Sequence, residues 1–197
     1  MIGFSGESAV REKLLYQLRT RQKNPLPRGD FIPAAVLVPL FIKNGDTQIL
    51  FTQRSMQVQD HKGQISFPGG RWEESDKSLL DTALRETEEE LGIAPKQVEI
   101  LGELGEWITP SRYHITPFVG IIPYPCVYRL NAEEISEIIE VPLVHLLEPK
   151  NLRLERGEFF NQQSEMPYFQ FGPHVIWGAT ARITRELVDL IKDSGLR

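Results

Sequence analysis

The chain has 197 residues, 41% hydrophobic and 25% charged, a composition that fits one folded globular domain with a modest extension. A net charge of −5 argues against broad electrostatic binding to nucleic acid or to an anionic membrane, so a phosphate ligand would need a metal or a local arginine cluster. The single cysteine, Cys126, excludes an internal disulfide and a zinc–cysteine cluster, and points to a reducing compartment.

The start, MIGFSGESAVREKLL, lacks a secretory pattern, the end Gly195-Leu196-Arg197 is no recognised address, and no apolar run reaches the ~18 residues of a membrane span. The expected location is cytoplasmic. Val10, Leu14, Leu15 and Leu18 recur at helical spacing between Gly6 and Gln22, predicting an amphipathic helix. The run KNPLPRGDFIP reads as a surface linker.

Ala34 to Ile42 is a continuous apolar run of strand length, and Asn44-Gly45-Asp46 turns it into a second strand, Thr47 to Thr52. Residues 55–63 read as a loop before a short strand at Gln64 to Phe67, which Pro68-Gly69-Gly70 ends as a glycine loop. A helix is expected from Ser78, where Ser78-Leu79-Leu80-Asp81 resembles a capping box, to Gly92, which suits the left-handed position after a helix. Leu80, Ala83, Leu84, Thr87 and Leu91 form its core stripe.

Further strands are expected at Val98 to Leu101 and Ile115 to Ile122, with Thr109 to His114 as the loop between them. The segment AEEISEIIEVPLVHLL reads as a loop joined to a short helix. Short strands at Leu152 to Leu154, Tyr168 to Phe171 and His174 to Trp177 precede a terminal helix from Thr180 to Lys192. Strands and helices mix without βαβ alternation, which favours a mixed sheet held between helices.

Chemistry concentrates between His61 and Ile93. On a helix, Glu86, Glu89 and Glu90 stand at i, i+3 and i+4, so three carboxylates project from one face towards a common point. Taken alone, such an acidic face is ordinary solvated surface. The preceding glycine loop changes that reading, because it permits close backbone approach and a carbonyl oxygen from Gly69 or Gly70. An all-oxygen site suits Mg²⁺ or Mn²⁺ rather than zinc.

These residues resemble the Nudix hydrolases, whose signature is Gly-x5-Glu-x7-Arg-Glu-apolar-x-Glu-Glu-x-Gly-apolar. Its second half stands here as Arg85-Glu86-Thr87-Glu88-Glu89-Glu90-Leu91-Gly92-Ile93, with Thr87 at a usually apolar place. In the first half Asp76 replaces the glutamate, and one extra residue separates it from Arg85. A second motif, LLTxRS-x3-R-x3-G-x3-FPGG, marks the coenzyme A diphosphatase type, which also tolerates the aspartate and the insertion. Its counterparts are Leu50-Phe51-Thr52-Gln53-Arg54-Ser55, Gly63 and Phe67-Pro68-Gly69-Gly70, with Gln59 in place of the second arginine.

The resemblance implies an α/β (α+β) Nudix fold, a mixed β-sheet sandwiched between α-helices, with residues 31–197 as the hydrolase domain and 1–30 as a helix and linker packed on it. It implies Mg²⁺- or Mn²⁺-dependent hydrolysis of the pyrophosphate of coenzyme A or its thioesters, giving 3′-phosphoadenosine 5′-phosphate and 4′-phosphopantetheine. Glu86 and Glu90 are the expected metal ligands, joined by Glu89, as ligand or water-orienting residue, and by the Gly70 carbonyl. Arg85 is an orienting residue paired with Glu89. Glu134 is the candidate general base, ahead of Glu133 and Glu137. Arg54, Arg71 and Arg112, with Lys62, are candidate phosphate contacts, since the arginine fork matches phosphate oxygens.

Trp72, His61 and His114 sit in the candidate cleft loops, where packing or solvation is their ordinary role. The expected partner is a small molecule, with neither nucleic acid nor membrane, and a homodimer is admitted. The competing readings are a Nudix hydrolase of ADP-ribose or a dinucleotide polyphosphate, and a non-catalytic nucleotide sensor of the same fold. The intact acidic pairs speak against the sensor.

Overall fold

The computed structural model describes residues 5–22, 26, 29–57, 62–159 and 162–193. Gln59, His61, the side chain of Val10, most of the linker from Lys23 to Arg28 and the chain end Gly195-Leu196-Arg197 lie outside the described residues. In chain order the elements are α1 (Ser5–Thr20), β1 (Ile32–Lys43), β2 (Asp46–Arg54), β3 (Ile65–Ser66), β4 (Gly69–Arg71) and α2 (Leu79–Leu91). Then follow β5 (Glu99–Glu103), β6 (Trp107–Ile108), β7 (Tyr113–Ile121), β8 (Ile135–Pro142) and α3 (Leu143–Leu147). The chain closes with β9 (Leu152–Phe159), β10 (Gln162–Phe171), β11 (His174–Ile176) and α4 (Gly178–Asp193).

β1 is the spine of an eight-stranded mixed sheet ordered β3-β2-β1-β7-β5, with β4 on β1, β6 on β7 and β8 on β2. It runs parallel to β7 and antiparallel to β2 and β4. Its unbroken apolar sequence follows from burial on both faces. Ala35, Leu37 and Phe41 pack with Ala83 and Leu91 of α2, whereas Val38 and Leu40 pack with Leu14 and Leu18 of α1 and Leu187 and Val188 of α4. The β1–β2 hairpin closes on Asn44 (φ 55°) and Gly45 (φ 88°), the two left-handed residues of a tight primed turn. Among the described residues, no helix is long and apolar enough to cross a membrane.

Three local expectations need correction. The Pro68-Gly69-Gly70 segment is not only a loop: Gly69 and Gly70 lie in β4, opposite Val36 and Ala35 of β1. The segment from Ala132 to Leu147 contains an eight-residue strand, β8, ahead of its short helix. A bulge hides the strand's period of two. Gln53 pairs with Glu137 and Arg54 with Ile135, so Ser136 is the extra residue. Finally, β7 begins at Tyr113, inside the expected loop, and β9 and β10 extend into a long hairpin of a separate three-stranded sheet, β11-β10-β9.

Candidate active site

Helix α2 carries the acidic residues and is fixed at both ends. Ser78 caps the start, its Oγ accepting the Asp81 N–H at 3.2 Å. Gly92 (φ 73°) ends it, its N–H donating to the Glu88 carbonyl. The next carbonyls are taken by the approaching loop, because Arg129 N–H donates to Leu91 O at 2.9 Å and Asn131 N–H to Glu90 O at 3.1 Å. That loop is thereby pinned beside the acidic face.

Strand β4 supplies the floor. A Cβ on Gly70 would lie 2.4 Å from Oε1 of Glu86, so only glycine lets the strand lie against that carboxylate. A Cβ on Gly69 would meet Ala35 O at 2.3 Å, which holds β4 tight to β1.

Arg85 organises the entrance. Its Nε and Nη2 grip Asp76 through Oδ1 at 2.9 Å and Oδ2 at 3.0 Å. Its Nη1 donates to Glu86 at 2.9 Å and to Glu89 at 3.1 Å, and its Nη2 also reaches the Arg71 carbonyl at 3.1 Å. Asp76 is buried and further accepts from the Glu73 N–H and the Thr82 hydroxyl. The Arg85 guanidinium, aided by those donors and opposed by burial, holds the Asp76 carboxyl down at about 2. Arg85 is in turn held more firmly cationic by Asp76 and Glu86.

Glu86 and Glu90 face the opposite problem. Burial raises the Glu86 carboxyl above its usual range, with Arg85 opposing and the charges of Glu89 and Glu134 adding. Glu90 is 2% exposed and is pushed up to about 8, first by burial and then by the charge of Glu86. Arg54 Nη1 stands 4.0 Å from its Oε1, while its buried Oε2 has no hydrogen-bond partner. An orphaned buried carboxylate oxygen beside a second, part-buried carboxylate is costly unless a cation sits between them.

Glu89 lies outside this pair, its side chain half exposed and held by Arg85. Among the described residues, no three His, Cys, Asp or Glu side chains lie close enough as they stand to share a metal ion. Of Glu133, Glu134 and Glu137, the last of which lies in β8 and not in a loop, Glu134 is the one whose charge acts on both Glu86 and Glu90, and the Asn131 amide holds its Oε1 at 3.1 Å. Glu133 is exposed, and Glu137 points towards His174 at 3.8 Å. The bulge at Ser136 joins the two halves of the site, since it sets Arg54 at the end of β2 against Ile135, immediately after Glu134.

The other candidates lie further out. Arg71 and Lys62 are exposed, and Arg112 (φ 67°) donates to the Asp30 carbonyl. Trp72, 39% exposed, ties its Nε1–H to the Asp76 carbonyl at 3.1 Å. His114 is nearly buried and pairs with Glu106 at 3.1 Å, so it serves the packing of the sheet. Sequence reading passes over Thr82 and Asn131. The signal for Asn131 is its turn, in which its side chain accepts the Glu133 N–H two residues on.

Against known proteins, the NUDIX domain family matches residues 32–159. The chain is 40% identical over 164 residues to the human mitochondrial coenzyme A diphosphatase NUDT8, covering 80% of this chain and 69% of that one. It is 36% identical over 159 residues to the uncharacterized Nudix hydrolase NudL of Photorhabdus laumondii, covering 81% and 84%. A MutT/nudix family protein from Enterococcus faecalis superposes with a TM-score of 0.50 at 14% identity, over 92% of this chain and 73% of that one.

Proposed function

Because the chain belongs to the Nudix hydrolase family, we propose that it hydrolyses the pyrophosphate of coenzyme A or its thioesters. The observation that carries this reading is the pair of part-buried Glu86 and buried Glu90 beside Gly70, with Arg54 of the Leu50–Ser55 motif 4.0 Å from Glu90. The name of the 40% identical human relative, a coenzyme A diphosphatase, supports the same substrate.

A divalent ion fits the site. The partnerless Glu90 oxygen, the mutual repulsion of Glu86 and Glu90, and the hard all-oxygen donor set are what Mg²⁺ or Mn²⁺ would satisfy. Glu86, Glu90 and the Gly70 carbonyl would hold it, with Glu89 turning in from Arg85. When bound, such an ion neutralises pyrophosphate oxygens and acidifies the attacking water.

The chain's own residues do the rest. Glu134, held by Asn131, takes the proton of the attacking water. Water oxygen bonds to one phosphorus, and the bridging oxygen leaves on the other as a phosphate. The products are 3′-phosphoadenosine 5′-phosphate and (acyl-)4′-phosphopantetheine. Arg85 fixes the rotamers of Glu86 and Glu89, while Arg54, Arg71 and Arg112 bind phosphate oxygens. Residues 31–197 form the proposed catalytic unit and 1–30 a packed extension. The proposed setting is the cytoplasm, and the proposed assembly a homodimer.

The direct test is incubation of the purified protein with coenzyme A and Mg²⁺, with products followed by mass and ADP-ribose as competitor. Pantetheine phosphate should form, and Glu90→Gln should lower kcat by at least about a hundredfold while the protein still melts cooperatively. Preferred cleavage of ADP-ribose would reassign the substrate. Tight nucleotide binding without metal-dependent turnover would leave only a sensor.

A further inference from the structure

Asn131 stands between the buried Glu90 of α2 and the proposed base, and each of its polar groups is engaged. Its N–H donates to the Glu90 carbonyl at 3.1 Å, and its own carbonyl accepts the N–H groups of Glu134 at 3.0 Å and Ile135 at 2.8 Å. Its side-chain Oδ1 accepts the Glu133 N–H at 3.2 Å, and its Nδ2 donates to Glu134 Oε1 at 3.1 Å. The orientation of the amide follows from chemistry. A backbone N–H can only donate, so the amide oxygen faces Glu133 and the amide nitrogen faces Glu134.

From the other side the N–H of Ser55, the last residue of the Leu50–Ser55 motif, donates to the Glu134 carbonyl at 2.7 Å. The backbone of Glu134 is therefore held at both its N–H and its carbonyl without the Asn131 amide nitrogen, which is left to hold the carboxylate. We propose that Asn131 is a positioning residue for the hydrolysis: its Oδ1 shapes the turn, while its Nδ2 occupies Oε1 of Glu134 and leaves Oε2 to take the proton of the attacking water. This rests on the reading of Glu134 as the base.

Asparagine suits both tasks, because one side chain of this length carries an acceptor for the turn and a donor for the carboxylate. Aspartate would keep the acceptor for Glu133 but set a second carboxylate against Glu134, where like charges repel. Alanine would lose both contacts. The same residue is tied through its N–H to the last turn of the helix that carries Glu86 and Glu90, so the base and the acids of α2 share one frame. Proton transfer depends on that frame, since a misplacement of about 1 Å can cost on the order of a hundredfold in rate.

Steady-state kinetics on a double-mutant cycle of Asn131 and Glu134 test this, using whichever of coenzyme A and ADP-ribose the unaltered chain cleaves with Mg²⁺. Asn131→Asp, which preserves shape and turn, and Asn131→Ala should each lower kcat by about tenfold or more, with KM held within about twofold. In a Glu134→Gln background neither change should lower kcat further, since a residue that acts through the base has nothing left to position. A loss by the same factor in both backgrounds would mark a purely structural role and overturn the proposal, as would an Asn131→Asp enzyme of unaltered kcat. A Glu134→Gln enzyme of undiminished kcat would overturn it while the hydrolase reading stands. A chain that cleaves neither compound would overturn both.

Discussion

At Asp76 a carboxylate one methylene shorter than glutamate still reaches Arg85, because the preceding segment turns back on itself. Asp76 N–H donates to Glu73 O and Glu73 N–H to Asp76 Oδ2, a turn that sets Asp76 against the guanidinium. The folded pKa of Asp76, about 2, lies below the ordinary 3.8, so the stability this acid contributes is complete above about pH 4 and is lost as pH falls towards 2. Asp76→Asn should therefore destabilise the protein by about 1–3 kcal/mol at neutral pH, through the orphaned Arg85, with the deficit narrowing between about pH 4 and pH 2. Urea unfolding of both proteins at several pH values checks this, and a deficit independent of pH would contradict the ion-pair account. The sequence marks Asp76 only as the stand-in for the signature glutamate; its two-point grip on Arg85 and its burial come from the tertiary structure.

At the scale of elements, α2 is the most legible part of the chain and β8 the least. Ser78 and Gly92 mark the ends of α2 by local chemistry alone, a hydroxyl that caps and a glycine that accepts positive φ, and the structure begins and ends the helix at those residues. β8 is hidden by the bulge at Ser136, which follows from pairing with β2 and not from anything local. The ends of α2 also differ in function. At Gly92 a Cβ would meet Arg129 Cβ at 2.8 Å in addition to the left-handed penalty, and Arg129 belongs to the loop that presents Glu134. Gly92→Ala should cost about 1–2 kcal/mol and also lower kcat below the melting temperature. Ser78→Ala should cost about 1 kcal/mol with kcat unchanged. Thermal melts paired with steady-state rates distinguish the two, and equal effects on kcat would remove the link between the helix end and the proposed base.

For the whole molecule, the sheet is covered on one face by α2 and on the other by α1 and α4, so the N-terminal helix is part of the core. Leu18 is 1% exposed and sits against β5, where a Cβ on Gly102 would lie 2.6 Å from Leu18 Cβ. Leu18→Ala should lower stability by about 2–4 kcal/mol without changing kcat in the native range, as read by denaturant midpoint and activity together. Negligible destabilisation would mean that α1 is dispensable to the fold. The sequence by itself determined what depends on neighbours along the chain: the apolar β1 run, the Asn-Gly hairpin, both ends of α2, and the acids that repeat on one helical face. Only the tertiary structure decided which of those acids are drawn out of solvent together, because burial and approach between distant segments are not local properties. It separates Glu89, held in solvent by Arg85, from part-buried Glu86 and buried Glu90, which lie against the glycines of β4. It also brings Glu134 to them from a segment more than forty positions away.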